Sequence, residues 1–183
     1  MSEGMIRIGI GGWTYPPWRG VFYPDKLPQS KELEHASRQF GAIEINATFY
    51  GRQSPKSWAA WEKAVPDGFQ FAIKGSRYVL TRPKLADAGE GLDVYFAQGM
   101  AVLRDKLGPF LWMLAARRKF DREDIAAFLK LLPKTLDGMP LRHVIERRMA
   151  SKTQAVRAVA SISPRSDRRS AIALPDPRRS SNI

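Results

Sequence analysis

The 183-residue chain is 44% apolar and 10% aromatic, enough for one substantial core and short for two domains. It has no Cys, so disulfides and thiolate metal sites are excluded. No apolar run approaches the roughly 20 residues of a membrane span and no basic-then-apolar leader opens the chain, so a cytoplasmic protein with no membrane partner is expected. The net charge of +12 is uneven: residues 148–183 hold 8 Lys/Arg against 2 Asp/Glu, half of the excess, and contain no Phe, Tyr or Trp.

Met5 to Gly12 (MIRIGIGG) reads as a buried first strand whose glycines allow close approach of other backbone. The G-x-G-x-x-G spacing of a dinucleotide loop is missing, and Trp13 follows at once. Trp13 to Pro24 (WTYPPWRGVFYP) is a proline-stiffened aromatic loop. Such a loop either plugs the end of a core or walls a pocket for a flat or sugar-like ligand. Trp13, Tyr15, Trp18 and Tyr23 are the candidate walls.

Ser30 to Phe40 reads as the first helix, with Ser30 as N-cap, Leu33, Ala36 and Phe40 on one face, and Gly41 as the stop. Ala42 to Tyr50 (AIEINATFY) begins as a strand through Asn46. Ile43 and Ile45 point one way, while Glu44 and Asn46 point the other. Ser54-Pro55 opens a second helix through Ala64, with Trp58 and Trp61 facing the sheet. Phe69 to Lys74 is the third strand. A lysine ending a buried strand either snorkels to solvent or pairs, and Glu44 on the neighbouring strand end favours pairing. Opposite charge would then keep Glu44 ionised.

Gly89-Glu90 leads into a third helix reaching about Asp105, and Pro109 to Leu114 (PFLWML) reads as a fourth strand buried on both faces. Phe120-Asp121 caps a fourth helix through Leu132. Leu141 to Glu146 (LRHVIE) is a fifth strand ending in another carboxylate. Strand and helix alternating through five units means parallel β/α topology, either doubly wound or barrel-like. Polar residues at successive strand C-termini (Glu44, Asn46, Lys74, Glu146) suit a barrel mouth. A full barrel needs eight units and about 250 residues.

The blocks GIGGWTYPPWRGVFYP, IEINATFY, FAIKGSRY and LGPFLWML, followed by PLRHVIE, together resemble the YecE-like family of unknown function over about residues 5–148. The resemblance implies a TIM-type β/α barrel of unestablished activity and no cofactor that can be named. Two departures stand out. Leu80-Thr81-Arg82 replaces a family Thr-His, and Met149 stands where the family has His. The expected organisation is therefore a partial barrel of about five units over 1–148 and an irregular basic tail over 149–183. The tail is Arg-, Ser- and Pro-rich beyond Ser161. It reads either as a basic arm for nucleic acid or as out-of-frame translation of a GC-rich gene, with a short helix allowed near 152–160.

These residues compose a candidate enzyme site. Glu44 is the general base and protonated Lys74 stabilises negative charge, while Asn46, Tyr50 and Arg77 orient an anionic or polyhydroxylated small molecule. Glu146 completes the mouth, and with Glu44 offers oxygen ligands for a divalent cation. A zinc site is disfavoured, since the histidines are only His35, on a helix, and His143. The alternative is a nucleic-acid-binding module using the tail and exposed aromatics. A third reading is an inactive copy whose open sheet edge after strand five promotes self-association.

Overall fold

The computed structural model describes residues 6–147 and 160–162. Along the chain come β1 Gly9–Gly11, α1 Glu32–Gln39, β2 Ala42–Ile45, the one-turn helix α2 Ala47–Tyr50 and α3 Pro55–Ala64. There follow β3 Gln70–Lys74, the one-turn helix α4 Arg77–Leu80, α5 Gly89–Phe96, β4 Leu107–Leu114 and α6 Arg122–Leu131. The short strands β5 Thr135–Leu136 and β6 Met139–Pro140 form a hairpin before β7 His143–Arg147 and β8 Ala160–Ile162. β1, β2, β3, β4 and β7 lie parallel in that order, and β8 joins β7 antiparallel.

Period-two alternation decides which face is buried. Ile43, Ile45, Phe71, Ile73, Phe110, Trp112 and Ile145 are buried together with Trp58, Leu92, Phe96 and Phe128 of the helices. This helix-covered face is the core. Its best-defined contacts are aromatic: Trp112 meets Phe128 edge-on at 5.4 Å, and Phe96 tilts onto Phe110 at 5.1 Å. The opposite, inner face carries Glu44, Lys74, Leu111, Met113, Val144 and Glu146, all half-buried. β4 is thus buried on one face, not both; its continuous apolar run hides an alternation of buried and half-buried positions. Pro109 fits inside this central strand because the β3–β4 register shifts between Phe71 and Ile73, a bulge beside the residue that has no N–H to give.

The first strand is shorter than the glycine-rich run suggests, since only Gly9–Gly11 pair with β2. Ser30 does not cap α1; it lies within a 3-10 turn, Gln29–Lys31, that feeds the helix. The third predicted helix ends at Phe96. Gly99, at φ 86°, breaks it, and 3-10 turns over Met100–Lys106 lead to β4. The caps Ser54 and Asp121 are as expected, Ser54 accepting from Ser57 N–H and Asp121 from Glu123 and Asp124 N–H.

The sheet is open: among the described residues β1 pairs only with β2, and no closed barrel forms. The edge beyond β7, expected to be bare, is paired with β8, so among the described residues β8 and not the fifth strand ends the sheet on that side. The predicted tail is likewise not wholly irregular, because Ala160–Ile162 is a strand. The suggested helix near 152–160, the remaining basic tail and any nucleic-acid contact through it lie outside the described residues. No described helix is long and apolar enough to cross a membrane.

Candidate functional site

The register sets Ala72 beside Glu44 and Ile73 beside Ile45, so Lys74 leaves β3 one step beyond the end of β2. Both Glu44 and Lys74 fall on the inner face by alternation, and their side chains meet. Lys74 Nζ donates to Glu44 Oε1 at 3.2 Å and to Asn46 Oδ1 at 2.9 Å. The two charged side chains are 21% and 17% exposed, a partly desolvated pair where strands end. The Phe49 ring lies 5.8 Å from the same ammonium.

The lysine is fixed from behind. Its carbonyl accepts from the Thr48 hydroxyl at 2.7 Å and from the Tyr95 hydroxyl at 3.0 Å. Burial pushes the Tyr95 hydroxyl far above the usual phenol range, so it remains a protonated donor. The Thr48 hydroxyl also lies 2.9 Å from Ile45 O and shares its one proton between the two carbonyls, tying the ends of β2 and β3 together.

Asn46 stands at the start of α2 and spends its oxygen on Lys74 instead of capping that helix. Its amide nitrogen lies against the backbone of Gly11 and Gly12, where an added Cβ would come within 3.4 Å of it. Gly12, at φ 81°, turns the chain out of β1 in a conformation that side chains rarely adopt, while its N–H donates to Glu44 O at 2.8 Å. Tyr15 folds back over this turn and donates to Gly11 O. Gly11, Gly12, Tyr15, Asn46, Glu44 and Lys74 are therefore neighbours at the ends of β1, β2 and β3.

The other loop aromatics do not line this mouth as expected. Trp13 turns into the helical layer, edge-on to Trp61 of α3 at 5.6 Å, and Trp61 in turn meets Trp58 at 5.0 Å. Tyr23 is 1% exposed and donates to Trp13 O, so it belongs to the core and cannot wall a pocket. Burial, with the nearby Glu32 charge and Tyr15, pushes its hydroxyl up to about 12. Trp18 packs between Tyr15 at 4.6 Å and Phe22 at 5.3 Å, half-buried against the core. Of the two readings left open for the loop, plug and wall, most of its rings follow the first and Tyr15 alone reaches the strand ends.

Tyr50 is 67% exposed, with the Arg77 guanidinium 5.8 Å from its ring; this pair forms the rim between α2 and α4. Glu146 is on the same inner face, opposite Met113, two strands from Lys74 across β4. The Lys74 ammonium is paired with Glu44 Oε1, and β3 and β4 stand between the strands of Glu44 and Glu146. No group of three or more metal-ligating side chains gathers among the described residues.

Glu32 escaped the sequence reading. It is fully buried at the start of α1 and accepts from Arg19 Nε at 2.7 Å, pinning the aromatic loop to the helix. A Glu in a first turn normally faces solvent and the helix dipole; only the aromatic content of the preceding loop hinted that it would be covered. A cavity of about 460 Å³ lies away from the strand ends, between Leu92 and Phe96 of α5, Ala97 just after it, Leu131 of α6 and Leu136 of the hairpin. Asp93 and Asp137 also line it, and none of the strand-end residues does.

Residues 7–159 match the family described as "Protein of unknown function DUF72". The chain belongs to the DUF72 family. This is the family to which the YecE-like resemblance pointed, and the match continues past Arg148, where that likeness was expected to stop. A DUF72 family protein from Thermotoga maritima MSB8 has a similar fold, with a TM-score of 0.62 at 24% identity, covering 79% of this chain and 56% of that one. A second, from Enterococcus faecalis V583, gives 0.57 at 21% identity, covering 79% and 51%. The UPF0759 protein YunF of Bacillus subtilis (strain 168) is 36% identical over 70 residues, 38% of this chain and 24% of YunF. The chain thus spans about half the length of the solved DUF72 proteins it resembles.

Proposed function

We propose that the strand-end cluster is an enzyme-type site for an anionic or polyhydroxylated small molecule. The observation that carries this reading is the Glu44–Lys74 pair, desolvated at the C-terminal ends of adjacent parallel strands, on the face turned away from the helices. Charges withdrawn from water there cost stability unless their partners are excellent, so a pair in the mouth is better explained by use than by folding. Parallel β/α sheets place their chemistry at this end.

In this reading Glu44 withdraws a proton from the ligand and Lys74 holds the negative charge that develops. Asn46 keeps the ammonium in place, and Tyr15 borders the ligand on the β1 side. Tyr50 and Arg77 orient it from the rim, with Glu146 on the far side of the mouth.

The test is a ligand screen by thermal shift against sugars, sugar acids and small hydroxy acids. A true ligand should raise the melting temperature of the native chain, and Lys74→Met should abolish that rise. Glu44→Gln should keep binding within about threefold while removing turnover, because it keeps shape and loses the base. A ligand that stabilises all three proteins equally would show that it binds elsewhere, and the reading would be wrong.

A further inference from the structure

The loops after β3 and β4 rise from the same end of the sheet as Lys74, and they are bound to each other. Arg118, in the loop after β4, donates to Leu80 O at 3.0 Å, to Pro83 O at 3.2 Å and to Arg82 O. Asp124 of α6 accepts from Leu85 N–H at 3.0 Å and Ala86 N–H at 2.9 Å, and lies 3.6 Å from Arg118. These contacts draw Arg77 to Lys84 and Arg117 to Lys119 into one ledge. Within those two stretches stand Arg77, Arg82, Lys84, Arg117, Arg118 and Lys119, and no carboxylate.

Five acids flank them: Asp87, Glu90, Asp121, Glu123 and Asp124. Asp124 is taken by Arg118 and two amides, and Asp121 caps α6; Asp87 stands beside the ledge. Among the described residues Lys84, Arg117 and Lys119 form no ion pair. Arg77 and Arg82 lie over tyrosine rings instead, at 5.8 Å from Tyr50 and 5.0 Å from Tyr78, and both rings are largely exposed.

Like charges within about 8 Å repel through physiological salt, and a rim that concentrates them attracts anions. A single carboxylate needs one such partner. A phosphate, with two charges and several acceptor oxygens, uses several donors at once, and guanidinium groups match it best.

We propose that this ledge holds the phosphate of a phosphorylated small molecule whose reacting end lies on Glu44 and Lys74. The proposal rests on the reading of the strand ends as the site, and it adds Arg82, Lys84, Arg117 and Lys119 as the residues that select the substrate class. Tyr78, beside Arg82, offers a flat surface to the part of the ligand between phosphate and reacting end.

Inorganic pyrophosphate is the probe, titrated calorimetrically into the full chain at physiological ionic strength. The ledge variant is Lys84→Ser with Arg117→Ser and Lys119→Ser, which leaves the structural Arg118 in place. The control removes equal charge from the outer helices, with Lys56→Ser, Lys63→Ser and Lys130→Ser. Native chain and control should bind alike, and the ledge variant should bind at least about tenfold more weakly, the loss of one good charged contact. Equal weakening in both variants, or no binding by the native chain, overturns the proposal. A single-stranded RNA bound more tightly than pyrophosphate and lost in the ledge variant also overturns it, in favour of a macromolecular partner. Lys74→Met separates the two readings: pyrophosphate binding that survives it supports the ledge whatever becomes of the proton-transfer site. A ligand response lost in Lys74→Met from a chain that ignores pyrophosphate sinks the ledge alone.

Discussion

Trp112 has one polar atom, and the way it is satisfied fixes the state of another residue. Its indole N–H donates to His143 Nδ1 at 3.2 Å, so that nitrogen must be unprotonated. The other ring nitrogen, 2.8 Å from Pro133 O, therefore carries the proton and donates. His143 is neutral in the fold, and burial lowers its pKa below the ordinary value, with the Pro133 carbonyl opposing in part. The unfolded chain, titrating near pH 6.5, binds the proton more readily. The stability this histidine gives is therefore complete above about pH 6.5 and declines as the pH falls through that value. Urea midpoints followed by tryptophan fluorescence from pH 8 down to pH 5.5 should fall, and His143→Gln should flatten the slope because an amide does not titrate. The same indole leaves no room on its other side. A Cβ on Gly75 would lie 2.3 Å from Trp112 Cε3, and the ring is fully buried. Gly75→Ala should cost about 1–3 kcal/mol, read as a lower unfolding midpoint at every pH.

At the scale of elements, the loops after β3 and β4 are joined to each other by one guanidinium, while Val79, Leu80 and Leu85 pack into the core. Arg118→Met removes a donor to three carbonyls and leaves Asp124 its two amides alone. The expected cost is on the order of 1–3 kcal/mol. Hydrogen exchange should show the loss confined to residues 80–86, with β3 and β4 still protected; equal loss in the strands would mean that Arg118 supports the whole fold. Elements with a chemical start signal were legible in advance, as Ser54-Pro55 for α3 and Asp121 for α6 show. Those whose ends depend on distant partners were not. α2 is a single turn where Thr48 meets the Lys74 carbonyl of β3, and α4 is a single turn capped locally by Ser76, which accepts from Tyr78 N–H; no periodicity announces four residues. The meeting of Glu44 with Lys74 was readable because alternation and strand-end position suffice to place both. Tyr23 and Trp13 were not, because a loop sequence tells which rings are present and not the layer into which each one turns.

Across the whole molecule, β1 is one of the two edges of the open sheet among the described residues. Its three residues pair on one side, and the chain leading into it carries Ile8, 75% exposed, and the still more exposed Ile6. Apolar residues beside an unpaired strand invite a second chain. Ile8→Lys should lower self-association in light scattering while leaving the unfolding midpoint unchanged, and a native chain that is already monodisperse as a monomer would remove the argument. The site sits on the same side of the sheet, yet it is built from the interior outward, through the Lys74 carbonyl. That oxygen takes one hydroxyl from α2 and one from α5, so the backbone that carries the ammonium is tied to the seating of α5 against the sheet. Were an anion to bind the ammonium as proposed, any coupling to α5 would be reciprocal: whatever the anion did for α5, the seating of α5 would do for the anion by the same factor. A lysine placed in this way ties the strand ends to a helix through its own backbone.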